Sequence, residues 1–372
     1  MSATDHPFMH DLQKISEAFL IPADFSSAAP YGSGHINDTY AVNFNQAGTE
    51  VRYIFQRINH RVFPNPGKLM ENIERVCAHT RSKLAGPDAS RRALSLVPTR
   101  SLKNWHVDGE DHWRCYLFIE KARTYDAIEN VGQASEAARA FGRFQGLLAD
   151  IPGGRLFETI PDFHHTRKRF EALVRAYEAD TRGRASAVAD EMAFVLKREA
   201  ETSLIVDAIA DGRIPERITH NDTKLNNVMI DDATGEGVCV IDLDTVMPGT
   251  ALSDFGDMIR TATNPEREDS THLSKIHMRI EYFEAIARGY LEGTAEFLTD
   301  AERELLPLSG KLMTLECGMR FLTDFLQGDT YFKIHREGHN LDRCRSQFRL
   351  VESIESQMDD MRERIDDMVA VS

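Results

Sequence analysis

No stretch of the 372-residue chain holds about eighteen consecutive apolar residues, the length a helix needs to cross a bilayer, so no membrane span is expected. The first residues also lack a long apolar run and carry Asp5, Asp11 and Glu17, which argues against a secretory or transit leader and points to the cytoplasm. Cysteine is scarce: Cys77, Cys115, Cys239, Cys317 and Cys344 are odd in number, widely scattered and mostly set in apolar patterns. That distribution argues against disulfide frameworks and CxxC zinc sites and leaves reduced core thiols. Positive charge is short too, with 44 Lys and Arg against 59 Asp and Glu, a formal net charge of -15. A general nucleic-acid binder would show a basic footprint, so a small neutral or cationic ligand fits better. Internal repeats and low-complexity linkers are also missing. With 42% hydrophobic residues, the chain can bury a large core and is expected to form two lobes.

What is present is a polar run, His220-Asn221-Asp222-Thr223-Lys224-Leu225-Asn226-Asn227, followed by Ile241-Asp242-Leu243-Asp244. Protein kinases place a catalytic-loop Asp and a metal-binding Asn five residues apart, then bring a second metal-binding Asp across a short hairpin. Asp222, Asn227 and Asp242 have that order and spacing. Phosphoryl transfer spreads negative charge over oxygens, so catalysis is mostly positioning and neutralisation by magnesium and cationic side chains. Asn227 and Asp242 are the hard oxygen donors that magnesium prefers. Asp222 is left to orient the acceptor hydroxyl and take its proton, with Lys224 in reach of the transferred phosphate. The apolar run Gly237 to Ile241 after the turn at Asp231 to Gly235 reads as the hairpin strand that delivers Asp242. Asp244 lies on the same side by alternation and either joins the metal site or supports it. The literal triplet Asp254-Phe255-Gly256 is set aside by spacing: it lies beyond Met247-Pro248-Gly249, read as a chain-reversing break, and Asp254 and Asp257 are read as structural carboxylates holding the loop.

Upstream, Tyr31-Gly32-Ser33-Gly34-His35-Ile36-Asn37-Asp38 is a glycine-rich turn whose backbone amides suit phosphates, although Asn37 stands where GxGxxG has its third glycine. Gly32, Ser33 and Gly34 are therefore candidate nucleotide contacts. The strand lysine of kinases is absent. Gln56 or Arg57 stands in its place, making Arg57 a candidate phosphate partner, with Glu71 or Glu74 of the helix Lys68 to Lys83 as its possible counter-charge. Trp113 to Ile119 reads as a strand running into Glu120-Lys121-Ala122-Arg123, a hinge where adenine would meet backbone; Glu120 marks it. The nucleotide-binding lobe is thus expected at residues 1–122 and a helical lobe with catalytic loop and acceptor site at 123–372. Phe163 to Ala210 reads as two long charged helices, and His164 and His165 as surface residues. His335 and His339 read as a histidine-bearing loop or acceptor surface rather than a zinc site. Leucine stripes at Leu308 to Leu326 are core.

Through His220, Asp222, Asn227 and Asp242 the chain resembles the aminoglycoside phosphotransferase and choline kinase superfamily. Within it, Tyr31 to Thr39, Gln56 to Asn59, Asp222 to Asn227, Ile241 to Gly249 and Glu316 to Asp324 are similar to the N-acetylhexosamine 1-kinases, a likeness running from about residue 12 to 358. The resemblance implies an α+β, bilobal, protein-kinase-like fold, with a small antiparallel sheet lobe and a larger helical lobe. It implies Mg2+- and ATP-dependent phosphorylation of the anomeric hydroxyl of N-acetylglucosamine or N-acetylgalactosamine, with a sugar pocket at His35, Asn37, Asp38, Arg320 and Tyr331. Two alternatives stay open. One is the same enzyme with an aminoglycoside, choline or plain hexose as acceptor; the other is a binding module that lost catalysis, encouraged by the missing lysine and opposed by the intact Asp222, Lys224, Asn227 and Asp242.

Overall fold

The computed structural model describes residues 10–32, 34 and 36–371. The chain divides into two compact units, Met1–Lys121 and Ala122–Ser372. In the first, α1 (Leu12–Ser16) is capped by the Asp11 side chain and precedes β1 (Asp24–Pro30), β2 (Asp38–Gln46) and β3 (Thr49–Ile58). The β2–β3 turn is the pair Ala47-Gly48, both at positive φ, the two-residue hairpin geometry that matches strand twist. Next, α2 (Pro66–Lys83) starts on an Asn65 cap with Pro66 at its first position, where the missing N–H costs nothing. β4 (His106–Asp108) and β5 (Asp111–Leu117) complete an antiparallel five-stranded sheet in the order β1-β2-β3-β5-β4. Its inward side packs Phe44, Phe55, Trp113 and Cys115 against Ile15 and Phe19.

The second unit is mainly helical. It runs through β6 (Ala122–Arg123), α3 (Val131–Leu148), α4 (Thr166–Ala179), α5 (Ala189–Leu196) and α6 (Leu204–Ala210). Then come β7 (Arg217–Thr219), β8 (Val228–Asp231), β9 (Gly237–Val240) and β10 (Met247–Gly249). It closes with α7 (Ala251–Ala262), α8 (Ile280–Thr294), α9 (Asp300–Gln327), α10 (His339–Ser356) and α11 (Met358–Val371). The α+β expectation therefore holds: an antiparallel sheet first, then mostly helix. The stripe Leu312, Leu315, Met319, Leu322 and Leu326 of α9 is buried, as its spacing requires, and α9 opens with a capping box between Thr299 and Glu302. All five cysteines are buried and unbridged.

Two expectations need correction. The segment 163–210 is not two long helices: α4 ends where Asp180 turns left-handed and Gly183 follows at positive φ, and a short 3-10 turn precedes each of α5 and α6. Met247-Pro248-Gly249 is not a reversing break but β10, paired with β7 in a two-stranded sheet that tolerates proline. No helix among the described residues is long and apolar enough to cross a membrane.

Candidate functional site

The run His220 to Asn227 forms the loop between β7 and β8. Asn221 enters it in the left-handed region, φ 64, and its amide bonds Thr219 O at 3.1 Å and Thr245 O at 2.9 Å, tying the loop to the segment after β9. Gly249 must be glycine here, since a Cβ would stand 2.3 Å from Thr219 Oγ1 and 2.7 Å from Asn221 Oδ1. Beneath the loop, Asp254 of α7 accepts from His220 N at 2.9 Å and Asn221 N at 2.7 Å, while Gln145 of α3 donates to the same carboxylate. Burial raises the Asp254 pKa; His220 and these donors pull the other way. Asp257 accepts from Thr223 N at 3.0 Å and is paired with Arg260. The decoy triplet thus supplies an anchor for the loop, in the structural role expected of Asp254 and Asp257.

Asp222 receives Lys224 Nζ at 2.8 Å, and Asn227 Nδ2 donates to its Oδ2 at 3.1 Å and its carbonyl at 2.8 Å. Burial pushes the Asp222 carboxyl up, but the charge and hydrogen bond of Lys224, with His220 and Arg260, outweigh it and bring the pKa to about 2. The Asp222 charge in turn raises Lys224 above its ordinary value. Antiparallel pairing of Val228 with Val240, continued by Ile241 N to Asn227 O at 2.9 Å, brings Asn227 and Asp242 to the same end of the β8–β9 hairpin. Asp242 itself lies two residues past the strand and is left-handed, φ 58. His220 joins both segments: its Nδ1 accepts from Asp222 N at 3.3 Å, so Nε2 carries the proton that Ile241 O accepts at 2.8 Å. Asp244 is buried, and its carbonyl accepts from Thr159 Oγ1.

In the first unit, Gly32 is at positive φ, as its turn requires; Ser33 and His35 lie outside the described residues. Arg57 pairs with Asp38 and with Asp111 at 2.9 Å, rather than with Glu71 or Glu74. Two residues assigned to different ligands, Arg57 and Asp38, are therefore joined to each other. Asn37 Oδ1 accepts from Asn59 N at 3.0 Å. The Glu120 side chain pairs with Arg52, and the Glu120 and Lys121 carbonyls accept from Arg91 at 3.1 and 3.0 Å. Gln56, the other residue offered for the place of the strand lysine, accepts from the fully buried Arg114 at 2.9 Å.

The family model described as phosphotransferase enzyme family matches residues 27–305. The chain belongs to that family. Among solved structures, the fold is similar to an aminoglycoside phosphotransferase from Alicyclobacillus acidocaldarius, with 11% identity, TM-score 0.62 and 98% of each chain covered. It is also similar to the spectinomycin phosphotransferase APH(9)-Ia solved with ADP and spectinomycin, with 12% identity, TM-score 0.55, and 95% of this chain and 99% of that one covered. An ethanolamine kinase from Plasmodium vivax matches with 13% identity and TM-score 0.53, covering 85% of this chain and 80% of that one.

On the helical side of this phosphotransferase, Glu316, Arg320 and Asp324 lie four residues apart along one stripe of α9. The Arg320 guanidinium stands 4.9 Å from the Phe163 ring and 5.5 Å from Phe332. Asp324 accepts from the backbone N–H groups of Thr330, Tyr331 and Phe332 at 2.8 to 2.9 Å, which shapes the turn that leaves Tyr331 61% exposed. Arg169, missed from sequence, donates to Phe163 O; burial, then the Arg320 charge, lowers its pKa. His164 is the clearest correction: only 10% of its side chain is exposed, with Nδ1 2.8 Å from Glu316 Oε1 and Nε2 2.9 Å from Asn221 O. No local pattern marks it, because its partners lie 57 and 152 positions away.

Proposed function

We propose that this phosphotransferase is an ATP-dependent kinase that phosphorylates the anomeric hydroxyl of N-acetylglucosamine or N-acetylgalactosamine to give the sugar 1-phosphate. The observation that carries the reading is the setting of Asp222, a carboxylate with a pKa of about 2, with Lys224 at 2.8 Å and Asn227 at 3.1 Å. Ionised at neutral pH, Asp222 aims the acceptor hydroxyl and receives its proton, while Lys224 offsets charge on the transferred group. Asn227, Asp242 and Asp244 offer amide and carboxylate oxygens and no soft ligand, a donor set that fits Mg2+. Such an ion, when bound, neutralises phosphate charge.

In this reading residues 1–122 take the nucleotide, through Gly32, Ser33, Gly34, Arg57 and Glu120, and residues 123–372 hold the catalytic loop and acceptor side. His35, Asn37, Asp38, Arg320 and Tyr331 are assigned to the sugar. Support for the sugar comes from the resemblance of those segments and from a guanidinium between aromatic faces, a combination suited to a hydroxyl-rich ring. The net charge of -15 favours a second reading, a cationic acceptor such as an aminoglycoside or choline.

An acceptor panel with magnesium-ATP, followed by phosphorus NMR of the product, tests both. The expected product is an N-acetylhexosamine 1-phosphate. A 6-phosphate would refute the anomeric assignment, and turnover confined to cationic acceptors would favour the second reading. Asp222→Ala is expected to lose about 10²–10⁴-fold in kcat with folding preserved, and full turnover would sink the mechanism.

A further inference from the structure

The peptide that joins Asn221 to Asp222 is gripped from both sides by histidines. Its N–H donates to His220 Nδ1 at 3.3 Å, and its carbonyl lies 2.9 Å from His164 Nε2. The other nitrogen of His164 lies 2.8 Å from Glu316 Oε1, while Thr166 Oγ1 donates to Glu316 Oε2 at 2.7 Å. Both ring nitrogens of His164 therefore face acceptors, a carboxylate and a carbonyl. A neutral ring would point one lone pair at an oxygen lone pair; only the doubly protonated ring donates to both. Glu316 is 1% exposed, so this pair is shielded from water and salt.

We infer that His164, as an imidazolium held by Glu316, is a positioning residue that fixes the Asn221–Asp222 peptide and links Asp222 to α9, the helix that carries Arg320. The role rests on the reading of Asp222 as the base. Burial disfavours the charged ring, but the Glu316 charge and hydrogen bond, with the Asn221 carbonyl, outweigh it and raise the His164 pKa, against opposition from Arg320. The charged groups around the pair are Glu316 and Arg320 on α9 and Arg169 on α4. Lys224 does not titrate in the same range, because Asp222 raises it further.

The sign follows. The competent form is protonated, so kcat falls as pH rises through the raised His164 pKa. NMR of the histidine ring in the intact protein, assigned with His164→Gln, is expected to show His164 titrating above the ordinary histidine value, with the alkaline limb of kcat at the same pH. In Glu316→Gln both are expected to move down by about one pH unit, since about that much interaction is removed with the carboxylate charge. His164→Gln keeps an N–H for the Asn221 carbonyl; it is expected to retain kcat within about tenfold at pH 7, without the limb, and with the nucleotide KM little changed. A His164 ring that titrates at the ordinary value, or limbs that coincide in wild type and Glu316→Gln, would overturn the inference. The wild-type ring titration decides it even where Glu316→Gln fails to fold. Full turnover in Asp222→Ala would instead overturn the reading of the base on which the role depends.

Discussion

Asn221 holds a left-handed backbone and three carbonyl contacts at once, so two substitutions separate the effects. Asn221→Gly relieves the backbone strain and loses the amide bonds; Asn221→Ala loses the bonds and keeps the strain. Urea unfolding is expected to show both destabilised, the alanine variant by about 1–2 kcal/mol more. Equal losses would mean that φ 64 carries no cost there. The proximity of Asp222, Asn227 and Asp242 was legible in the sequence because a short hairpin converts spacing into proximity. Glu316 and His164 were not, because their meeting depends on how α9 passes the loop, a long-range fact without local periodicity. Arg57 shows the opposite difficulty: its position suggested a ligand, and two carboxylates from neighbouring strands answered it.

At the scale of elements, α7 explains the misleading triplet. Asp254 anchors the loop, Phe255 is fully buried, and Gly256 lets α9 approach: a Cβ there would stand 2.4 Å from Met313 Cγ and 2.5 Å from Ser309 O. Gly256→Ala is therefore expected to destabilise by about 1–3 kcal/mol in chemical denaturation, although alanine is the better helix former; a stabilised variant would contradict the close packing. The strands β2, β3, β5 and β9, with α2 and α9, were readable because apolar runs and helical stripes matched their elements; β10 was not, because proline and glycine there read as a break. The segment 163–210 misled because charge-rich periodicity does not reveal where a left-handed Asp180 ends a helix.

At the scale of the whole molecule, several buried or half-buried carboxylates set the acid limit. Burial raises each, but Lys224 lowers Asp222, Arg217 lowers Glu302, His164 lowers Glu316, and Arg198 with Lys311 lowers Glu355. Their folded pKa values lie below the unfolded ones, so their stabilisation is present above about pH 4 and is lost as pH falls through the folded values. His164, raised, contributes in the opposite window: its share is full below the unfolded histidine pKa and fades as pH rises through the folded one. Unfolding midpoints measured across pH are expected to drop below about pH 4, with Glu302→Gln costing about 3–5 kcal/mol at pH 7 because Arg217 loses its partner. An unchanged midpoint down to pH ~3 would show that these pairs do not set the limit. On the proposed acceptor role of Arg320 and Tyr331, the α9 stripe carries a consequence for changing what the molecule accepts. Glu316, Arg320 and Asp324 share one helical phase, and one inserted residue between them would rotate the distal members by about 100°. Lineages that diversify their acceptors are therefore expected to exchange the stretch 329–338 as a cassette and to leave the length of α9 untouched.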